Sequence, residues 1–303
     1  MSFPKLPAKA AYLTIDNARR RNALSLAVLR SLRDQLHKYN TSPSDGKLRI
    51  LPPFQPSTFT SWNAPPVPPI YQNLSESTPG SSSTGPPGAN TVLICLSAGH
   101  DLSELRGLSH DEVKETFALC AEVISLIRRS PIPVVGAIHG LATAAGCQLA
   151  LTTDLPIAKA STPFQLPGAS IGLPCTSPST AVSRKLGSNA FTYRMLALAE
   201  QVRADELPGQ AVDVVKDDTE EAFEERVRQV VQRLVDLPAQ PQAFGKWAFW
   251  TQVGIRGVEG GQADGYEDAV SWAGKVMALH ARGEDAREGM ASFAEKRRPQ
   301  WKT

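Results

Sequence analysis

Residues 132–154, IPVVGAIHGLATAAGCQLALTTD, carry no formal charge before the final Asp. The first seven are apolar without alternation, so a strand here must be covered on both faces, as strands are in parallel sheets flanked by helices. From His139 to Asp154, six of sixteen residues are Ala or Gly. Such residues bury little side-chain area but let a backbone come close to something. The run is expected to become helical from about Thr143. In its middle only Gln148 has much hydrogen-bonding reach.

The rest of the chain alternates in the same sense. AYLTI (11–15), LRIL (48–51), TVLICL (91–96) and residues 155–158 read as strands. Ser25 is expected to cap a helix whose Leu29, Leu32 and Leu36 make one apolar stripe. Ser109 and Glu112 form a capping box for a second helix, with Val113, Phe117, Cys120, Ile124 and Ile127 on its apolar face. Arg128 and Arg129 suit that helix's C-terminal dipole, and Pro131 stops it. From Pro178 onward the chain reads as mostly helical, most clearly over 221–237 and 265–280. Strands alternating with helices imply the α/β class.

One segment breaks the pattern. Residues 52–90 hold ten of the 24 prolines, seven serines and a single charged residue, Glu76. That composition is expected to be a long loop or disordered insertion. A proline-rich ligand for a partner is the alternative. The expected organisation is a core from 1–51 and 91–220, the insertion 52–90, and a helical region over 221–303.

Composition narrows the function classes. The chain has 303 residues, 42% apolar and 20% charged, with a net charge of +2. This gives ample material for a core and no basic excess to favour nucleic acid. The four cysteines show no metal spacing and sit among apolar or small residues, so buried free thiols are expected and no metal. No apolar run approaches the ~20 residues of a membrane span. The first sixteen residues hold no secretory core and enter a strand almost at once, so no clear targeting peptide is read.

Two glycine-containing turns leave buried strands: SAGHD after 91–96, and HGLATAAG after 132–138. If those strands are neighbours, the turns can aim backbone N–H groups at one point. That is the geometry of an oxyanion hole, worth on the order of 3 kcal/mol per donor to a developing enolate or tetrahedral intermediate. A structural glycine turn is the alternative.

The segments RRRNALS (19–25), SAGHDL (97–102), PIPVVGAIHGLATAAGCQLALTTDLPIA (131–158), PGASIGL (167–173) and EDAREGMASFAEKRRPQW (284–301) together resemble the enoyl-CoA hydratase/isomerase, or crotonase, superfamily. The resemblance spans nearly the whole chain outside 52–90. It implies a crotonase (ClpP-like) α/β fold: a spiral of β-β-α units with a C-terminal helical region. It also implies a homotrimer or dimer of trimers. The implied ligand is an acyl-CoA thioester, held as substrate rather than cofactor, in mitochondrial fatty-acid metabolism, with a cytoplasmic location as the alternative.

By the same resemblance the backbone N–H groups of His100 and Ala145 would flank the thioester oxygen. Arg21 would lie beside the CoA phosphates, and Asn22, Ala23 and Leu24 would line the entrance. Asp101 and Leu102 follow the first donor. Phe293 and Lys296 match positions that reach the adenosine end. Active hydratases carry Glu where this chain has Gln148 and Gly168, and other members place an acid at the position of Thr176. None of the three is acidic here, and an amide has no useful basicity at neutral pH. His100 and Cys175 remain as side chains with chemistry in the pocket. The favoured reading has the His100 ring pointing away with only its backbone N–H used, and Cys175 has no adjacent His to activate it. His139, Cys147 and Asp154 read as structural. Two functions stay open. One is an acyl-CoA protein with weak or altered chemistry, such as hydrolysis or isomerisation. The other is a non-catalytic member that binds acyl-CoA or a protein partner.

Overall fold

A computed structural model describes residues 5–42, 45–58, 91–96, 99–171, 175–255 and 283–301. Its chain falls into two compact units. The first comprises the described parts of 1–39, 89–128 and 133–234, and the second those of 40–88, 129–132 and 235–303. Residues 40–51 therefore group with the C-terminal helices, and the helix beginning at Glu220 lies largely in the first unit.

The first unit is built on a parallel sheet. Strands β1 (Ala10–Leu13), β2 (Thr91–Leu96), β3 (Val134–Ile138), β5 (Leu155–Lys159) and β8 (Asp213–Val215) lie side by side in that order, each pair parallel. β3 is central and all five of its residues are buried, as its unbroken apolar run requires. A second, smaller sheet has the order β4 (Ala142–Thr143), β6 (Pro163–Gln165), β7 (Gln201–Arg203). β4 and β6 run parallel, and β6 and β7 antiparallel.

The chain thus visits the large sheet, then the small one, then a helix. It does so once through β3, β4 and the helix Ala145–Thr152, and again through β5, β6 and the helix Thr176–Leu186. This is the repeated β-β-α course expected of the fold. Sequence periodicity reveals β5, but β4, β6, β7 and β8 are two or three residues long and carry no period of their own.

Numbered in chain order, the helices are α1 (Leu26–Asn40), α2 (Leu102–Leu105), α3 (His110–Arg129), α4 (Ala145–Thr152), α5 (Thr176–Leu186), α6 (Asn189–Leu198), α7 (Glu220–Val235), α8 (Ala239–Val253) and α9 (Glu284–Ala294). Ser25 caps α1, its Oγ accepting from the Val28 N–H at 3.2 Å. Glu104 adds a second cap by accepting from the Leu26 N–H at 3.0 Å. Leu29, Leu32 and Leu36 are all at most 1% exposed. Burial of each contributes about 1.5–3 kcal/mol.

The capping box of α3 forms as expected. Glu112 accepts from the Ser109 N–H, and Ser109 Oγ accepts from the Glu112 N–H. The apolar face is corrected in part. Cys120 and Ile127 are buried as expected, together with Thr116, Leu119, Val123 and Leu126, whereas Phe117 is 47% exposed. LRIL is also corrected: it forms no sheet strand, only an isolated bridge between Leu48 and Thr41.

In the second unit, Leu51 is fully buried and exchanges hydrogen bonds with Arg129. Of the segment 52–90, residues 52–58 are described, and the Pro53 carbonyl accepts from the indole N–H of buried Trp247. Residues 59–90 and the expected helix 265–280 lie outside the described residues.

Candidate functional site

The site grows from the contact between the two glycine turns. Gly99 stands so close to the second turn that a Cβ there would lie 2.7 Å from the Thr143 carbonyl and 3.2 Å from Ala144 Cβ. Only a residue without a side chain lets the turns meet this way. On its other side the first turn is tied to Leu24. The Leu24 N–H donates to the Gly99 carbonyl at 2.9 Å, and the Asp101 N–H donates to the Leu24 carbonyl at 3.3 Å. In such a parallel bridge the intervening residue, His100, points its own N–H away from Leu24. Among the described residues that N–H meets no acceptor.

Ala145 provides the second donor. It opens α4, so its N–H has no intrahelical partner, and none is found among the described residues. Ala144, just before it, has φ 47° and ψ −119°, a conformation that favours glycine. Holding it costs on the order of 1–3 kcal/mol. Ala145 is 2% exposed, and the α4 dipole adds positive potential at its N–H. Two unbonded donors on touching turns are suited to one oxygen bearing partial negative charge.

The His100 ring is turned aside. Its Nδ1 lies 3.3 Å from the Leu24 carbonyl, which places the proton on Nδ1 in the neutral ring. The ring stands edge-on to Phe117, with centroids 5.2 Å apart. Burial pushes the imidazole below its ordinary pKa, against the opposing pull of the Leu24 carbonyl and Glu104.

One turn along α4 from Ala145 lies Gln148, 5% exposed. Its Nε2 donates to Ser177 Oγ at 2.7 Å, and its Oε1 is buried without a partner. Gly168 is buried in the 3-10 turn Pro167–Ile171, and its backbone opposes in part the effect of burial on the Cys175 thiol. Gly168 is not among the described residues with positive φ. Thr176 is exposed at the start of α5, beside Ser177. Burial pushes the Cys147 thiol up to about 12 and raises Cys175 as well. Cys120, Cys147 and Cys175 are all free and buried.

At the proposed entrance, Arg21 and Asn22 both adopt left-handed backbone, with φ 55° and 57°. Asn17 stitches the turn. Its N–H donates to Asn22 Oδ1, and its Nδ2 donates to the Ala23 carbonyl. Arg21 is exposed, while Ala23 and Leu24 are buried. Asp101 caps α2 through the Ser103 and Glu104 N–H groups, with Arg20 at 3.9 Å, and Leu102 is 48% exposed. In the second unit, Phe293 belongs to α9, and exposed Lys296 follows with φ 53°.

The remaining candidates are structural. His139 Nε2 lies 3.0 Å from both oxygens of Glu220, which also pairs with Lys159. The Asp154 carboxylate accepts from the Val134 N–H at 2.8 Å. Ser177 and Asn17 escaped the sequence. Ser177 lies 29 residues from the side chain it meets, and neither has a motif to mark it. Among the described residues there is no cluster of His, Cys, Asp or Glu able to hold a metal, and no helix long and apolar enough to cross a membrane.

A five-stranded parallel sheet with a satellite sheet is the fold of a known family. Residues 94–303 match the enoyl-CoA hydratase/isomerase family, and the chain belongs to it. Its fold is the crotonase fold.

The particular relatives are narrower still. The chain is 32% identical over 291 residues to enoyl-CoA hydratase domain-containing protein 3, mitochondrial, of Rattus norvegicus, covering 95% of this chain and 80% of that protein. Its counterpart in Homo sapiens is 28% identical over 293 residues, covering 95% and 79%. The solved structure of the human protein superposes with a TM-score of 0.72 at 25% identity, covering 98% of each chain. An enoyl-CoA hydratase of Mycobacterium smegmatis also gives 0.72, at 27% identity, covering 99% of this chain and 98% of that one.

Proposed function

We propose that this protein binds acyl-CoA thioesters and is a poor hydratase. The carrying observation is the pair of N–H groups on His100 and Ala145 that meet no acceptor among the described residues, set on turns that Gly99 allows to touch. They would receive the thioester oxygen. In the first unit, Arg21 would meet the CoA phosphates, with Asn22, Ala23, Leu24, Asp101 and Leu102 lining the path; in the second, Phe293 and Lys296 match by family resemblance positions that reach the adenosine end of a CoA. Hydration needs a base for water and an acid for the α-carbon. Gln148, Gly168 and Thr176 supply neither. Chemistry that asks for little proton transfer, such as thioester hydrolysis or isomerisation, remains open to the oxyanion hole.

A non-catalytic acyl-CoA-binding role is the second reading, and the Gln148–Ser177 contact, which holds neither an acid nor a base, favours it. A mitochondrial setting is proposed from the names of the relatives, and a homotrimer from the family. Calorimetry with butyryl-CoA and butyrate tests the binding proposal. The thioester is expected to bind at least tenfold tighter, and equal affinity would overturn it. Mass spectrometry of a panel of acyl- and enoyl-CoAs incubated with the protein separates the two readings. Conversion of any thioester defeats the non-catalytic one.

A further inference from the structure

We infer that the methyl group of Ala144 stands against the carbonyl carbon of a bound thioester, in the place an attacking nucleophile would need. The residue thereby makes this a site that holds an acyl group without transferring it. This rests on the acyl-CoA reading above, and of the chemistries left open there it obstructs hydrolysis.

Ala144 joins β4 to α4, and both of its backbone groups are engaged. Its N–H donates to the Gln165 carbonyl at 3.0 Å, and its carbonyl accepts from the Gln148 N–H at 3.0 Å. The direction of its side chain is therefore fixed. In an L-residue the Cβ is turned by about 120° from the backbone nitrogen about the Cα–C bond, so a ψ of −119° eclipses it with the peptide bond to Ala145. Standard bond lengths then put the methyl about 2.7 Å from the Ala145 nitrogen, on the side of its hydrogen. The methyl also faces the first turn, since a Cβ on Gly99 would lie 3.2 Å from it. Ala145 is buried, but Ala144 is only half-buried. Glycine serves at residue 140, where φ is 80°, yet position 144 keeps a side chain that strains its backbone.

A strand, one strained residue and a helix, with the next N–H as oxyanion donor, is also the layout of the nucleophile elbow of serine hydrolases. There the strained residue carries the attacking hydroxyl. Here it carries a methyl, which has no lone pair and no proton to give. A thioester oxygen accepting from the Ala145 N–H would bring its carbonyl carbon into van der Waals contact with that methyl. Attack needs a nucleophilic atom about 3–3.5 Å from the same carbon. The methyl keeps that face from water.

The test is intact-protein mass spectrometry after incubation with butyryl-CoA, on the full chain and on Ala144→Cys and Thr143→Cys. Ala144→Cys is expected to gain one butyryl group. Its sulfur bonds to the carbonyl carbon as the bond to the CoA sulfur breaks, and the thiol proton leaves with the CoA. The unaltered chain with its native cysteines, and Thr143→Cys one residue away, should be acylated at least about tenfold more slowly. Similar rates for all three would overturn the inference. So would an Ala144→Cys protein that binds butyryl-CoA by calorimetry and gains no acyl group. Should Ala144→Cys fail to fold, Ala144→Gly decides. Loss of the methyl should raise CoA release by hydrolysis about tenfold, with a melting temperature no lower than before because the strain is gone. Unchanged hydrolysis by that variant while it still binds would then overturn the inference alone. Failure of butyryl-CoA to bind the unaltered protein would overturn the acyl-CoA reading and this inference together.

Discussion

Gly99 and Thr143 sit closer than any side chain permits: a Cβ on residue 99 would lie 2.7 Å from the Thr143 carbonyl oxygen. The contact is backbone on both sides, so neither partner can swing away. Gly99→Ala must therefore part the two turns by several tenths of an ångström. The expected outcome is a loss of butyryl-CoA affinity of tenfold or more and a melting temperature lower by several degrees. Gly107→Ala is the control, since its nearest neighbour, the Glu104 carbonyl, is at an ordinary 3.5 Å. Equal effects from the two changes would refute this account of the site.

Gln148→Glu is nearly isosteric and keeps an acceptor for the Ser177 hydroxyl. It should raise crotonyl-CoA hydration, since a positioned acid or base contributes ~10²–10⁴-fold. Adding Gly168→Glu supplies the second group. Gly168 lies outside the left-handed region, so the difficulty there is room for a buried side chain rather than backbone strain. Rapid hydration by the unaltered protein would count against the proposed function. His100, with Nε2 unprotonated, would then be the base to remove.

The protein should lose stability on mild acidification, in part through His100. Burial holds its folded pKa below the unfolded value of about 6.5. Above that pH both states are neutral, and the contribution is complete. As pH falls below it, the unfolded chain takes up the proton first, and stability declines until the folded ring also protonates. Melting temperatures from pH 7.5 down to 5 should fall less steeply for His100→Gln, whose amide can still donate to the Leu24 carbonyl. Parallel curves for the two proteins would remove His100 from the explanation.

Trp247 is fully buried, with its N–H on the Pro53 carbonyl at 3.3 Å. Trp247→Phe should cost about 1–3 kcal/mol by removing one of the two donors to that carbonyl, which keeps the Gln55 N–H, and by opening a small void. On compositional grounds, replacing 59–90 with a short Gly-Ser linker should shift the melting temperature by no more than about 2 °C. Extending the deletion to residue 52 should lower it by several degrees more, because the Pro53 contact goes with it. Thermal denaturation of the three proteins checks the order.

Elements set by local rules were legible in the chain. The β3 run, the Ser25 cap of α1 and the Ser109–Glu112 box each depend on residues within a few positions of one another. The buried face of α3 was legible only in part, through Cys120 and Ile127. Two apolar stripes overlap there, one through Val113, Phe117 and Ile124 and one through Leu119, Val123 and Leu126, and only tertiary packing chooses between them. The short strands β4, β6, β7 and β8 owe their form to neighbouring backbones, which no window of sequence contains. At the site, the turns were readable because glycine marks close approach. The Gln148–Ser177 contact was not, because two polar residues far apart in sequence carry no sign that they meet.

The thiol of Cys147 bears on how an acyl group would travel. It lies between Gly146 and Gln148 on α4, fully buried, with its pKa pushed up to about 12. The thiolate is the nucleophile, and burial strongly disfavours it there. Transfer of an acyl group from the proposed thioester to this cysteine is therefore disfavoured. An acyl chain that entered esterified to CoA would leave either on the CoA that brought it or as the product of a reaction with something other than that thiol.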